Sequence, residues 1–550
     1  MADIYNIGEF LGIAQHRDGS LLNTGTAIDA RNMDTSDGNL SVAKGYVRKS
    51  SNAIPPSAGQ ILRIIPVDED DILAVTQNNI YHGTYSAWNL TPIYTFTTAL
   101  PTDCQIGYAL GKINTTNVVV IGTGKTQLIK VNMADTVTAE VFGSGLYIFE
   151  TTVASYADKV VTLTDAMSQD IQQKFVVEKG VYINGVFRKG SVTSATTITL
   201  DTTPGVVPAA GDTVKLRGGA SDAHCNFVCM HNGRLFAAGD PDAPNRLYWS
   251  TIPGDGRTIE HWLAIESSVD LSGGYVEVGD TTADPIIGIC ELSTQILIFK
   301  RYSIYRLYGD RPSYYTVERV EKFTENMSNA GVAVKTDIPY WLTKSGIKLF
   351  NGADMQLLDG GQNYLCSFID TIKTVSQSKA FTAKGKLYFT CRVANTGTYD
   401  DSLIVYDSVN NTYMVRDGFK IADMCAFENT IYLINDTGYL YEFDKGDKYD
   451  GQAISAYWQT QPTDLTMKMV NKQLKELFFR AEGTVIIIET KNGSQANRER
   501  RVIQNDDMID LPMNNQPCRR FSIKLSNEAG SHFTIYGGIQ IWYEGKVRPV

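Results

Sequence analysis

Three segments of the chain read almost as copies of one another: QILIFKRYSIYRLYG at 295–309, IPYWLTKSGIKLFNG at 338–352 and TIYLINDTGYLYEFD at 430–444. Each is an apolar strand, a short polar turn and a second strand with alternating aromatics. Strands this short cannot bury a face alone, so repeated units must stack or pack radially. Four-stranded units set around an axis make a β-propeller, which leaves only short protected edges. Further clusters of short strands recur from Ile61 to Phe443. The 29 Tyr, 21 Phe and 47 Gly suit aromatic strands punctuated by turns. The expectation is an all-β protein.

Residues 60–450 carry the repeat, interrupted at 143–218. The 315 residues left outside that interruption suffice for six or seven blades at roughly 45–50 residues each. The insertion 143–218 reads as a small β domain. It holds one short helical stretch, Ser168–Phe175, a hairpin signal at Asn184-Gly185, and strands at Thr196–Asp201 and Asp212–Arg217 around the loop PGVVPAAG. Residues 1–59 are polar and glycine-rich. They predict an extended arm, mobile in a lone chain and laid on a neighbour in an assembly. Residues 455–550 predict a further β domain resembling a sandwich of two small sheets, with strands at Lys475–Phe479, Thr484–Thr490, Phe521–Ser526 and Thr534–Tyr543.

The net charge is −10. Residues 455–550 hold 13 basic and 10 acidic side chains, which leaves 37 and 50 in residues 1–454. An acidic body with a mildly basic end lacks the basic footprint that grips phosphates. The start MADIYNIGEF has neither a basic region nor a long apolar run, so no signal peptide is expected. No apolar run approaches the length of a membrane span. The eight cysteines, Cys104, Cys225, Cys229, Cys290, Cys366, Cys391, Cys425 and Cys518, are scattered through apolar runs and predict buried thiols in a soluble protein made in a reducing cytoplasm.

No motif assembles a reaction centre. Gly122-Thr-Gly-Lys-Thr126 ends like a phosphate loop, yet Val119 stands where the first glycine belongs and a strand follows, so it reads as a hairpin turn. His224, Cys225, Cys229 and His231 crowd together, and on a strand Cys225, Cys229 and His231 would share a face. Strand residues four apart lie about 13 Å from one another, too far for one ion, and core thiols are the simpler reading. Asp444, Asp447 and Asp450 lack the alternate spacing and closing Glu of a calcium loop. The run Asp68–Asp71 reads as an exposed turn. The segment Ser250–Trp262, STIPGDGRTIEHW, approaches a sialidase-type turn with the wrong spacing, and the paired carboxylates of a glycosidase are not apparent. No catalytic, cofactor-binding or metal residue is assigned, no cofactor is expected, and the chain is not expected to be an enzyme.

Five segments carry a family resemblance. The first is GTAIDARNMDTSDGNLSVAKGYVRKS, Gly25–Ser50, an arm with Asp-Gly, a small apolar residue and a basic-Gly end. NGRLFAAGDPDAPNRLYWSTIPGD, Asn232–Asp255, and IIGICELSTQILIFKRYSIYRL, Ile286–Leu307, follow. SLIVYDSVNNTYMV, Ser402–Val415, and RRFSIKLSNEAGSHFTIYGGIQIWYE, Arg519–Glu544, complete the series. In this order they resemble the tail hub or nozzle proteins of short-tailed bacteriophages, the family that includes the packaged-DNA stabilisation proteins.

The resemblance implies a propeller, six copies in a ring below the portal and head–tail adaptor, and a channel through which double-stranded DNA passes without sequence-specific binding. It implies a homohexameric virion protein of the tail, assembled in the bacterial cytoplasm without stable membrane insertion. Its neighbours would be the adaptor ring and tail fibre, spike or needle proteins. The 143–218 insertion departs from the family pattern. An acidic duct wall would repel phosphates and let the duplex slide. Two alternatives stay open: a host-surface propeller that binds or cleaves glycans, and a tail-tip ring subunit of a long-tailed phage.

Overall fold

The computed structural model describes residues 2–15, 23–143, 147–169, 171–172, 180–217, 223–254, 257–261, 268–322, 327–359, 364–394, 398–465, 470–528 and 530–546. It is all-β, and among the described residues seven sheets, five of four strands, one of five and one of six, stand in a β-propeller arrangement. Among the described residues no helix is long and apolar enough to cross a membrane.

The chain divides into two compact units. The first is Met1–Ala74, Gly83–Leu90 and Asn326–Val550; the second is Val75–His82 and Thr91–Glu325. In the first unit, blade five begins at Val332–Lys335, blade six at Ala380–Ala383, blade seven at Asp423–Phe427 and blade one at Ile61–Pro66. These four leading strands lie side by side in that order. In the second unit the leading strands of blades two, three and four, Gly107–Ile113, Phe227–His231 and Ile286–Glu291, do the same. The second strands are apolar and almost wholly buried, as in Gln295–Lys300 and Ile338–Thr343. Between blades two and three the insertion closes into a six-stranded barrel from Tyr147 to Arg217. Val153, Val161, Val181, Ile198, Val214 and Leu216 fill it. Asn184 and Gly185, both at positive φ, make its tight hairpin turn. Of the expected helix Ser168–Phe175, residues 170 and 173–175 lie outside the described residues.

The first 59 residues are not a free arm. Among the described residues they contain five strands: β1 (Ala2–Ile7), β2 (Ala27–Arg31), β3 (Met33–Asp34), β4 (Leu40–Val42) and β5 (Tyr46–Arg48). β5 pairs antiparallel with Leu440–Phe443 and supplies the fourth strand of blade seven. The expectation of mobility rested on low apolar content. Yet Ile7, Phe10, Ile13, Ala27, Met33, Leu40 and Tyr46 are all buried, so the few apolar residues present are nearly all used.

The C-terminal residues form β6 (Tyr457–Thr460), β7 (Asn471–Lys491), β8 (Ser494–Pro512), β9 (Phe521–Asn527) and β10 (Phe533–Lys546). The expected C-terminal β domain is present, and its strands join β1–β4 in one continuous nine-stranded sheet, ordered β2-β6-β9-β7-β10-β4-β3, with β1 on β10 and β8 on β7. The 21-residue β7 is the reason. Its first half, up to Gly483, pairs with β10, and its second half, from Val485, pairs with β9. A register shift between Ala481 and Gly483 divides the halves, the usual device by which one strand serves two layers. Gly483 has φ of +89°, and a Cβ there would lie 2.1 Å from the His532 carbonyl oxygen, so the position requires glycine.

Ionic contacts tie blade six to blade seven, and Asp34 and the Lys44 carbonyl tie the N-terminal segment to blade six through Lys386 and Arg416. Arg416 is buried, with Asp444 Oδ1 at 3.7 Å from its Nη2. Lys384 Nζ donates to Asp444 Oδ2 at 2.9 Å. Burial raises the Asp444 pKa, but Arg416 and Lys384 outweigh it and hold the carboxyl below its ordinary value. Asp34 is lowered in the same sense, by Arg416 and Lys386 against its burial.

Two outcomes follow from these contacts. Deletion of residues 1–50 should abolish the cooperative thermal transition of the first unit, because it removes a blade strand and four strands of the nine-stranded sheet; a truncated chain that melts like the full one would refute this. The stabilisation from Asp444 should be complete above the ordinary Asp range, near pH 4, and should vanish as pH falls through its depressed folded value. The stability gap between the native chain and Asp444→Asn in urea should therefore be constant from pH 7 to pH 5 and close below pH 4.

Candidate functional site

Gly122–Thr126 joins the second and third strands of blade two as a hairpin connection. The Thr123 hydroxyl accepts from the amides of Lys125 and Thr126 at 3.2 and 3.0 Å, and the Gly124 amide donates to the Cys225 carbonyl at 3.3 Å. The amides that would cradle a phosphate thus have acceptors of their own.

The His224–His231 cluster is split. The strand begins at Phe227, so Cys225 precedes it and shares no face with Cys229 and His231. Cys225 belongs to an apolar cluster with Val118, Val120, Leu235 and Ala237. Cys229 packs on a different cluster, with Phe236 and Ile289. Burial first, then the neighbouring Glu291 and Cys290, push its thiol well above the ordinary range. His231 is buried, with Nδ1 at 3.7 Å from Glu291 Oε1. Among the described residues no three His, Cys, Asp or Glu side chains are grouped to hold a metal ion.

The three late aspartates diverge. Asp444 serves Lys384 and Arg416. Asp450 Oδ2 accepts from Arg48 Nη2 at 2.9 Å and from the Tyr441 hydroxyl at 3.0 Å. The Asp447 carbonyl lies 3.1 Å from His532 Nε2. Asp68 Oδ1 accepts from the amides of Asp70 and Asp71 at 2.9 and 2.8 Å, which makes 68–71 a side-chain-capped turn. Of Ser250–Trp262, residues 255, 256 and 262 lie outside the described residues. The preceding Ser250 and Thr251 are buried.

Charged residues within the strands were not singled out in the sequence, and several are structural anchors. Arg234 is 1% exposed. Its guanidinium donates to the carbonyls of Ser250 at 2.6 Å, Ser272 at 2.8 Å and Asp270, holding both ends of a long loop to blade three. Asp423 is fully buried, and its Oδ2 accepts from the Ile64 amide at 2.6 Å, joining blades seven and one. The only signal for either is a charge inside an apolar run.

The feature best suited to act on another molecule is the β7–β8 ribbon. β8 has 19 residues and pairs only with β7 among the described residues. Asn492 and Gly493, at positive φ, make the connecting turn. Along β8 the side chains of Arg498, Arg500, Val502, Gln504, Met508 and Asp510 are exposed, whereas Ile503 and Leu511 are buried. The opposite edge is thus a long row of backbone donors and acceptors beneath mixed charged and apolar side chains.

No protein-family model matches the sequence, and no curated protein matches it. Solved structures with partial likeness include the WD40 domain of SCAP from fission yeast, at 7% identity, covering 80% of this chain and 94% of that chain with a TM-score of 0.29. PorZ, an essential surface component of the type-IX secretion system of Porphyromonas gingivalis, is 11% identical over 90% of this chain and 77% of its own, with a TM-score of 0.26. A gluconolactonase from Xanthomonas campestris is 12% identical over 72% of this chain and 98% of its own, with a TM-score of 0.28.

Proposed function

We propose that the protein is a structural subunit of a bacteriophage tail, a nozzle or hub ring component of a short-tailed phage. Six copies would form a channel below the head–tail adaptor, retain the packaged genome and conduct it during ejection. The observation that carries the reading joins sequence to structure. The two outermost segments that resemble the family, Gly25–Ser50 and Arg519–Glu544, supply β2–β4 and β9–β10 of a single sheet. Segments some 470 residues apart that share both a resemblance and a hydrogen-bonded sheet support one another as parts of one module.

Charge and chemistry support the same reading. An acidic body favours a sliding duplex over a bound one, since each Lys or Arg contact to phosphate would hold it in place. The groups that could have suggested a catalyst are engaged in separate structural contacts, and a subunit that acts by assembling has no need of an enzyme's convergent site. Ring formation requires head-to-tail contacts whose rotation closes, a demand on surface complementarity alone.

The test is the mass of the assembled species. Native mass spectrometry of the ring released from particles should give six times the 60.7 kDa chain. Particles lacking the protein should package DNA and then lose it. A protein found only as a monomer that turns over a glycan, with one carboxylate substitution abolishing turnover, would overturn the reading.

A further inference from the structure

We infer that β8 is a self-recognition edge: it pairs antiparallel with β8 of a second copy of this chain about a two-fold axis near Gln504. This goes beyond the ring reading and does not depend on it.

The backbone presents the edge. In the second half of β7, the Thr484 and Asn492 amides donate to the His532 and Arg520 carbonyls, on the side away from β8. Strand alternation then turns Val485 and Ile487 toward β8, bonded to their partners Arg501 and Glu499. The amides and carbonyls of Arg498, Arg500 and Val502 therefore point outward. In the first half, the Met513 amide donates to the Lys475 carbonyl at 2.7 Å. The same counting turns Met508 and Asp510 outward. These five residues also have exposed side chains, with Val502 at 56% and Met508 at 65%.

The side chains select the partner. Along the exposed face the strand begins with Arg498 and Arg500 and ends with Asp510, with Val502 and Met508 between. Arg500 already holds Glu528 at 2.5 Å. Arg498 and Asp510 have no side-chain partner within the chain among the described residues. An antiparallel copy centred on Gln504 sets Arg498 against Asp510 twice, by symmetry, and Arg500 against Met508. A parallel copy would set like charges together, which costs several kcal/mol at an interface. Gln504, the first of the three residues that stand opposite Glu482, lies on the axis and meets its own counterpart, so the irregular part of the strand falls at the centre of the pairing. Pairing of this kind is isologous, each copy giving and receiving the same contacts.

The test is a charge swap on the full chain. Arg498→Asp and Asp510→Arg, each alone, should weaken dimerisation more than about tenfold by light scattering across a concentration series. The double variant should restore it, because each new Asp then meets a new Arg of the other copy. Met508→Pro, which removes an outward amide that in the single chain donates to Asp507 Oδ1 at 2.8 Å but no bond to β7, should also abolish the dimer. Hydrogen exchange should show the Arg500 and Val502 amides protected only in the dimer, the Arg498 amide already donating to Asn497 Oδ1 at 2.9 Å in the single chain. A native chain that stays monomeric, or a dimer or ring indifferent to both single reversals, would overturn the edge pairing. A six-copy ring that survives those reversals would do so while leaving the ring reading intact.

Discussion

The pairing of β5 with the last strand of blade seven sets the terms for the rest of the first unit. The blade would otherwise end in an open strand, Leu440–Phe443, with its outer edge unpaired. Tyr46–Arg48 closes it, and the Tyr46 ring stacks on Tyr449 at 5.2 Å and meets Tyr441 edge-on at 4.9 Å. A contact between residues 46 and 443 costs closure entropy, but that cost grows only logarithmically with loop length. The kinetic consequence is larger: the closing strand is made first and used last. Folding dominated by such distant pairings is slow, because order must be established before it is rewarded. The same segment then runs into the nine-stranded sheet, so the blade and the sheet share their N-terminal strands.

Local pattern was enough for the blades. Gln295–Phe299, Tyr340–Thr343 and Thr430–Ile434 are apolar runs between polar turns, and each is the second strand of its sheet, buried on both faces. The barrel was visible for the same reason, through Asn184-Gly185 and the alternation of Thr197–Leu200. Two features were hidden by distance and exposure. β1, β2, β4 and β5 are three to six residues long and take partners some 400 to 540 positions away, and the two-residue β3 pairs with β4, so no local window reveals the sheet they join. β8, with RERR near one end and an acidic stretch near the other, lacks an apolar alternation, because an edge strand needs only one side of its ladder and half of one face. The separate strands expected at Lys475–Phe479 and Thr484–Thr490 are one strand, since glycine at 483 marks a bend rather than an end.

The buried cations answer a problem that long loops create. A connection folded back over a blade carries carbonyls that water cannot reach, and each unmet one is costly. Arg234 meets three of them. Lys300, 1% exposed, donates to the Val278 carbonyl, and Lys472, fully buried, to the Arg519 carbonyl at 2.8 Å. Burial pulls the pKa of all three below the ordinary range. Carbonyl dipoles accept from each cation, and nearby carboxylates (Asp270 for Arg234, Asp284 for Lys300, Asp464 for Lys472) offset part of the burial cost.

A 19-residue strand with one open edge is a hazard for a β protein, since that edge invites unlimited pairing. β8 carries three restraints on that hazard: a central irregularity, charges of opposite sign near its ends, and Pro512 at its terminus. The irregularity and the proline limit how far a ladder can extend. The charges choose its direction. Together they convert an aggregation-prone edge into one that accepts a single partner and then has no edge left to offer. An isologous contact of this kind closes on itself and cannot propagate around a six-fold ring. In a nozzle, the head-to-tail contacts must therefore use other surfaces, and the β8 edges must either join two rings face to face or part before the ring closes. The charge ends bear on that choice, because a contact built on exposed ion pairs is reversible and weakens with salt, as a storage dimer's must be and a permanent joint's need not.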